Sequence, residues 1–405
     1  MRVLFVSDVY FPRVNGVSTS IRTFRADLAQ AGVETLLVTP EYPNASVDSE
    51  PGIIRVPSGG VPRDPEDRRF LGKPLRRALN AELAAQVDLV HIHTPFIAHY
   101  AGVRFAREHG LPVVATYHTF FEDYLHHYVP VLPRRIGRFI ARRFTLSQCD
   151  DVAALISPSA PMREALLEYG VQTPIEVLPT GLPAESYARG DGARFRARFK
   201  LPVDRPLLLY VGRVAYEKNI DFLLRTFVRV RNQRPDALFV VAGEGPAREH
   251  LVKLARELGI SNEVRFIGYL NRSTELPDCY AAGDAFVFAS RTETQGLVLL
   301  EAMAQGTPVV STAELGTRSI LTEGCGAFVV PEEEEPFANA VIAALALGKD
   351  DPRRRQLLAH AESWASQAMA RRLITFYEGV CNKAREARKH GRRPLGSPSR
   401  VEQSS

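Results

Sequence analysis

The chain has 405 residues, 45% hydrophobic and 24% charged, with a formal net charge of +5 and a sequence pI of about 9.0. That length exceeds what one core ordinarily fills, so two domains are expected; the mild basicity suits anionic ligands or an anionic membrane without demanding nucleic acid. No zinc-ligand spacing, helix-turn-helix pattern or aromatic-plus-basic RNA motif appears, and the four cysteines (Cys149, Cys279, Cys325, Cys381) lack CxxC pairing, as expected of thiols in a reduced compartment.

The first predicted element is the apolar run RVLFVS at 2–7, with no charged leader region or cleavage site before it, so a cytoplasmic location is expected. A loop containing Asn15-Gly16-Val17 leads into a helical pattern at 18–31. Strand, turn and helix in this order are the layout of a nucleotide-binding unit, yet the GxGxxG fingerprint is missing and Gly16 is the one glycine of the loop. Further strand-length runs follow: ETLLVT at 34–39, DLVHIH at 88–93, PVVATY at 112–117 and VAALIS at 152–157, with a helix expected at 97–109. Near-continuous apolar strands alternating with helices predict a parallel sheet covered on both faces.

Around 179–206 the pattern loosens into an expected linker with one short helix. The alternation restarts with PLLLYVGR at 206–213, a helix at 218–233, ALFVVAG at 237–243 and a helix at 246–258, then VRFIGY, AFVFAS and TPVVST. PEEEEP at 331–336 reads as a solvated turn, and the chain becomes helical from 352 to about 388. The fold class is therefore α/β, two doubly wound parallel-sheet halves alike in architecture and not in sequence. Expected boundaries are 1–185, 186–364, a C-terminal helix at 365–388 packing back on the first domain, and a basic Gly/Pro/Ser-rich tail at 389–405, expected to be disordered. No apolar run approaches the roughly 20 residues that span a bilayer. Ligands of such sheets bind beyond the carboxyl ends of the strands, so chemistry is expected in a cleft between the halves.

Three constellations lie at such ends. In VGRVAYEKN (211–219), Arg213 follows a strand and Lys218 opens the next helix. Two cations at a helix N-terminus suit a phosphate, Arg by bidentate contact and Lys as a point charge; the bland alternative is a solvated turn. In SRTETQGLVLLEAMAQGTPVV (290–310), Glu293 precedes Gly296, which starts a helix, and Glu301 lies a turn and a half inside it. Its apolar neighbours predict that Glu301 is buried and needs partners, and a carboxylate there can hold two vicinal hydroxyls. In ATYHTFFEDYLHHY (115–128), His118 stands at a strand end. A lone histidine is as readily structural; Glu122 and Asp123 match no standard metal spacing, and no metal or other cofactor is expected.

In this order and spacing the three constellations resemble the retaining glycosyltransferases of family 4, with the two-Rossmann GT-B fold. The resemblance covers nearly the whole chain; the Glu-x7-Glu segment from Glu293 to Glu301 is its most specific element. It implies Arg213 and Lys218 as diphosphate ligands that stabilise the leaving group, Glu301 as ribose ligand and Glu293 as the contact to donor-sugar hydroxyls. The N–H groups of Gly296 and Leu297 are implied as further ligands, and His118 as the histidine near the sugar's primary hydroxyl. Gly16 is implied where the first loop passes close to the donor. The nucleotide base is expected near Gly243, Tyr269 and Leu270, with nothing there to separate uridine from guanosine.

Within the family, TETQG and YHTxxExYLxxY resemble diacylglycerol glycosyltransferases. RRIGRFIARRF (134–144) places Ile136, Phe139, Ile140 and Phe144 on one helical stripe with arginines mostly off it. A basic amphipathic helix suits anionic headgroups; the alternative is an ordinary helix with its stripe in the core. Tyr124, Arg135, Arg138 and Arg142 are membrane or acceptor candidates. The expected partners are thus a nucleotide sugar, a lipid acceptor and an anionic membrane surface, with no nucleic acid, and the enzyme is expected at the inner face of the cytoplasmic membrane. The expected reaction is metal-independent, retaining transfer of glucose from UDP-glucose to diacylglycerol. Alternatives are a GDP-mannose- or UDP-sugar-dependent transferase with a soluble or polysaccharide acceptor, and a non-catalytic nucleotide-sugar binding protein. The two-domain nucleotide-sugar epimerases lack the Glu-x7-Glu segment.

Overall fold

The computed structural model describes residues 1–43, 50–61, 64–118, 134–272 and 274–390. Glu122, Asp123, Tyr124 and the tail from 391 lie outside them, as do the side chains of Arg135 and Arg138. The chain forms two compact units, one built from Met1–Thr180 with the C-terminal helix Ser366–Lys389, the other from Gly181–Ala365.

The first unit contains β1 (Arg2–Val6), β2 (Glu34–Pro40), β3 (Ile53–Val56), β4 (Ser58–Val61), β5 (Asp64–Phe70), β6 (Leu89–Ile92), β7 (Val113–Thr116), β8 (Ala154–Ser157) and β9 (Ile175–Val177). Seven of them form one parallel sheet in the order β3-β2-β1-β6-β7-β8-β9, while β4 and β5 pair as an antiparallel ribbon. Every residue of β6, β7 and β8 is buried, as strands covered on both faces require. The ribbon carries Gly59, Gly60 and several charges, and lacks the apolar run by which the other strands were read. Helix Gly16–Gln30 starts where the Asn15 side chain accepts from Ser18 N–H at 2.9 Å. Helix Ile97–His109 stops at Gly110, in the left-handed region. The C-terminal helix buries Leu373, Tyr377, Val380 and Cys381 in this unit's core, beside Phe5, Phe24 and Leu89.

The second unit contains β10 (Leu207–Val211), β11 (Leu238–Ala242), β12 (Val264–Gly268), β13 (Ala285–Phe288), β14 (Val309–Ser311) and β15 (Phe328–Val329), parallel in the order β12-β11-β10-β13-β14-β15. The short helix expected within 179–206 is Gly192–Arg198, and it is packed on the unit: Phe195 is buried, Arg194 pairs with Asp278 at 2.6 Å and Arg196 with Asp284 at 3.0 Å. One expectation fails here. PEEEEP is a helix start: the helix runs Glu334–Leu345, with Glu334 and Glu335 in its first turn. Acidic groups favour the positive end of the helix dipole, and Phe337, Ala338 and Val341 bury the face that follows.

Candidate active site

In the second unit the polar groups collect at the carboxyl ends of β10, β11 and β13. β10 runs into Gly212-Arg213, and a short 3-10 turn (Tyr216–Lys218) carries Lys218. The α-helix begins only at Ile220, after Asn219 in the left-handed region, so Lys218 precedes the helix it was expected to open. Lys218 Nζ is paired with the Glu293 carboxylate. Both are about one-fifth exposed, Lys218 17% and Glu293 20%. Arg213 lies 3.9 Å from the buried Glu217.

Gly243, directly after β11, explains the tight pairing of loops here. Its φ is +134°, and a Cβ would overlap the Gly212 carbonyl oxygen, so the loops after β10 and β11 touch only because this residue has no side chain. Tyr269, just past β12, is 44% exposed, and Leu270 packs on the core edge.

Gly296 caps helix Leu297–Ala304 with φ +98°, and no described side chain caps that end. Glu301 is buried as its apolar neighbours predict. One carboxylate oxygen is paired with Arg272, the other accepts from Tyr280 Oη at 2.8 Å. Burial, then the carboxylate itself, hold the Tyr280 hydroxyl well above its ordinary pKa, so it remains a donor. Each carboxylate oxygen keeps a lone pair for a further donor. Arg272 and Tyr280 were not found from the sequence; a buried carboxylate signals that partners exist and not which residues they are.

In the first unit the strand ends of β1, β6 and β7 carry Asp8, His91, His93 and His118. Asp8 accepts from Thr94 Oγ1 at 2.7 Å and from the Ala98 N–H at 3.1 Å, sealing the start of helix Ile97–His109. Burial raises its pKa from 3.8 to about 6 despite those hydrogen bonds. His91 is filled on both nitrogens, Nδ1 with Tyr377 Oη at 2.6 Å and Nε2 with Thr116 Oγ1 at 2.7 Å. Its ring lies 3.9 Å from that of His93, which in turn lies 5.7 Å from that of His118. Burial holds all three rings neutral, with His118 pulled down to about 4 although it keeps some exposure. The described residues contain no cluster of three His, Cys, Asp or Glu side chains arranged to hold a metal. DLVHIH showed two histidines on one strand face, yet only His118 was singled out.

Gly16 is the first residue of its helix; φ is not left-handed, and a Cβ would meet nothing within 4 Å. Helix Arg134–Asp150 buries Gly137, Ala141, Thr145 and Gln148, and leaves Ile136 (50%), Phe139 (65%) and Ile140 (46%) exposed. Arg142 is tied to the Tyr169 carbonyl at 2.8 Å. No described helix is long and apolar enough to cross a membrane.

Two parallel-sheet units with polar groups gathered at their strand ends make up the GT-B fold. The sucrose-phosphate synthase from Thermosynechococcus elongatus has this fold, with a TM-score of 0.75 over 94% of this chain and 98% of its own, at 22% identity. The family model "Glycosyltransferase Family 4" matches residues 14–186 and "Glycosyl transferases group 1" matches residues 192–364. The alpha-monoglucosyldiacylglycerol synthase of Streptococcus pneumoniae (strain ATCC BAA-255 / R6) is 32% identical over 93% of this chain and 85% of its own. The synthase of the same name from Acholeplasma laidlawii is 26% identical over 76% and 80%. The chain belongs to glycosyltransferase family 4 and is a sugar-transferring enzyme.

Proposed function

We propose that this enzyme moves glucose from UDP-glucose onto the free hydroxyl of diacylglycerol, with retention of configuration, at an anionic membrane surface on the cytoplasmic side. The observation that carries the reading is the 32% identity to a monoglucosyldiacylglycerol synthase across 93% of the chain. The exposed stripe Ile136, Phe139 and Ile140 supports it, because large apolar side chains left in water on a basic helix suit a lipid interface.

Arg213, Lys218 and the uncapped start of helix Leu297–Ala304 hold the diphosphate. They stabilise the charge that develops on it as the glycosidic bond breaks, without a metal. Glu301 binds the ribose hydroxyls and Glu293 those of the sugar, so Lys218 exchanges Glu293 for phosphate when donor enters. Gly16 lets the donor approach the backbone, which accounts for a glycine that the fold itself does not require. The base lies near Gly243, Tyr269 and Leu270. The leaving phosphate oxygen takes the proton of the attacking lipid hydroxyl as the new bond forms on the same face. His118 contacts a substrate oxygen.

The test is release of UDP or GDP from a panel of donors, with and without diacylglycerol vesicles. Lipid-dependent UDP release that survives EDTA is expected. Release that needs a soluble acceptor, or a divalent ion, overturns the reading. Phe139→Ala with Ile136→Ala is expected to weaken flotation with anionic liposomes; unchanged flotation removes this helix as the membrane face.

A further inference from the structure

We infer that His93 is a positioning residue: it fixes His118 as the neutral tautomer with its proton on Nδ1, so that His118 meets substrate as a hydrogen-bond donor and not as a base. The inference rests on the reading of His118 as a substrate contact.

A neutral imidazole carries one proton for two nitrogens. His91 places no demand on its neighbours, because both its partners are hydroxyls that can either donate or accept. His93 is 1% exposed; its Nδ1 faces His118 Nε2 at 3.4 Å, and its own Nε2 has no partner among the described residues. One of the two facing nitrogens must carry a proton.

If His118 donated, the His93 proton would sit on Nε2, stranding a buried N–H with nothing to accept it. If His93 donates from Nδ1, the unpartnered atom is a bare lone pair, and buried donors without acceptors are the rarer defect. The second arrangement is therefore favoured. It fills His118 Nε2 and leaves the proton on Nδ1. His118 then has no free lone pair with which to deprotonate a nucleophile, and its N–H points to an oxygen acceptor such as a sugar hydroxyl or a phosphate oxygen.

The experiment is long-range proton–nitrogen NMR on the full-length protein labelled with ¹⁵N-histidine, without substrate, with His118 assigned by His118→Asn. The expected spectrum at pH 7.5 shows His118 protonated at Nδ1 and bare at Nε2. His93→Phe keeps a stacked ring and removes both nitrogens. It is expected to release His118 into a mixture of tautomers and to lower kcat about two- to tenfold, as the competent form falls to a fraction of the population, with UDP affinity unchanged. His118→Asn, whose amide N–H stands where Nδ1–H did, is expected to keep more activity than His118→Asp, which offers only acceptors. A proton on Nε2 of His118 in the wild type, or a tautomer indifferent to His93→Phe, overturns the inference. The wild-type spectrum decides the matter even if His93→Phe fails to fold. Because no substrate is present, a wrong tautomer leaves the sugar-transfer reading standing, and failure to glycosylate diacylglycerol leaves the tautomer result standing.

Discussion

The strand ends of the two units manage their polar groups in different ways. In the second unit full charges are matched by full charges: Lys218 with Glu293, Arg272 with Glu301, Arg213 near Glu217. In the first, neutral rings and hydroxyls are matched in a chain from Tyr377 through His91 to Thr116, with His93 and His118 alongside. The Lys218–Glu293 pair is partly exposed on both sides, so its members can trade partners for a phosphate or a sugar hydroxyl at little net cost. A buried neutral network has no such freedom; what it supplies is fixed geometry. On the proposed reading, the second unit supplies exchangeable binding and the first supplies orientation.

The largest effect expected from breaking this contrast is on the charged side. Lys218→Ala should cut turnover about 10²–10³-fold, the scale for losing one electrostatic donor, with Arg213→Ala similar. Steady-state rates on purified protein measure it, and unchanged turnover would remove Lys218 from the phosphate site.

The first unit should answer to pH. Asp8 titrates near 6 when folded, against 3.8 for the ordinary carboxyl, so the folded chain binds this proton more tightly than the unfolded chain. Its contribution to stability is greatest below about pH 4 and falls as pH rises through about 6, by up to about 3 kcal/mol. Asp8→Asn abolishes the titration and should gain on the wild type between pH 4 and 7. Urea midpoints at the two ends of that range test it; a constant difference would refute the shift.

Tyr377→Phe removes one hydroxyl from the fully buried network and leaves His91 Nδ1 without its partner. The expected loss is about 1–3 kcal/mol in urea unfolding, with UDP affinity unaltered because the second unit is untouched. Weakened UDP binding would show that the division between the units is wrong.

Gly16→Ala sharpens the comparison from the opposite side. With no left-handed φ and open space around the Cβ position, stability should be unchanged or higher by about 0.4–1 kcal/mol. If the first loop passes against the donor, as proposed, activity should nevertheless fall. A fully active variant would leave Gly16 without a role.

Much of this molecule was written in local chemistry. Apolar runs of strand length separated by helical patterns announced two parallel sheets, since a strand buried on both faces has no polar side to show. The glycine before LVLLEAMA marked a helix start because a left-handed residue without a side chain can cap one, and the apolar surroundings of Glu301 announced a buried carboxylate. The PEEEEP segment was misread because its charges were weighed without the apolar stretch that follows and makes it a helix start.

Tertiary structure alone decided which groups meet. Tyr377 reaches His91 across 286 residues, and Arg272 reaches Glu301 from the loop after β12; no local pattern encodes such partners. It also decided how helix Arg134–Asp150 sits. Periodicity gave that helix an apolar stripe, which could face either lipid or the core. The fold buries Gly137, Ala141 and Thr145 and leaves Ile136, Phe139 and Ile140 in solvent.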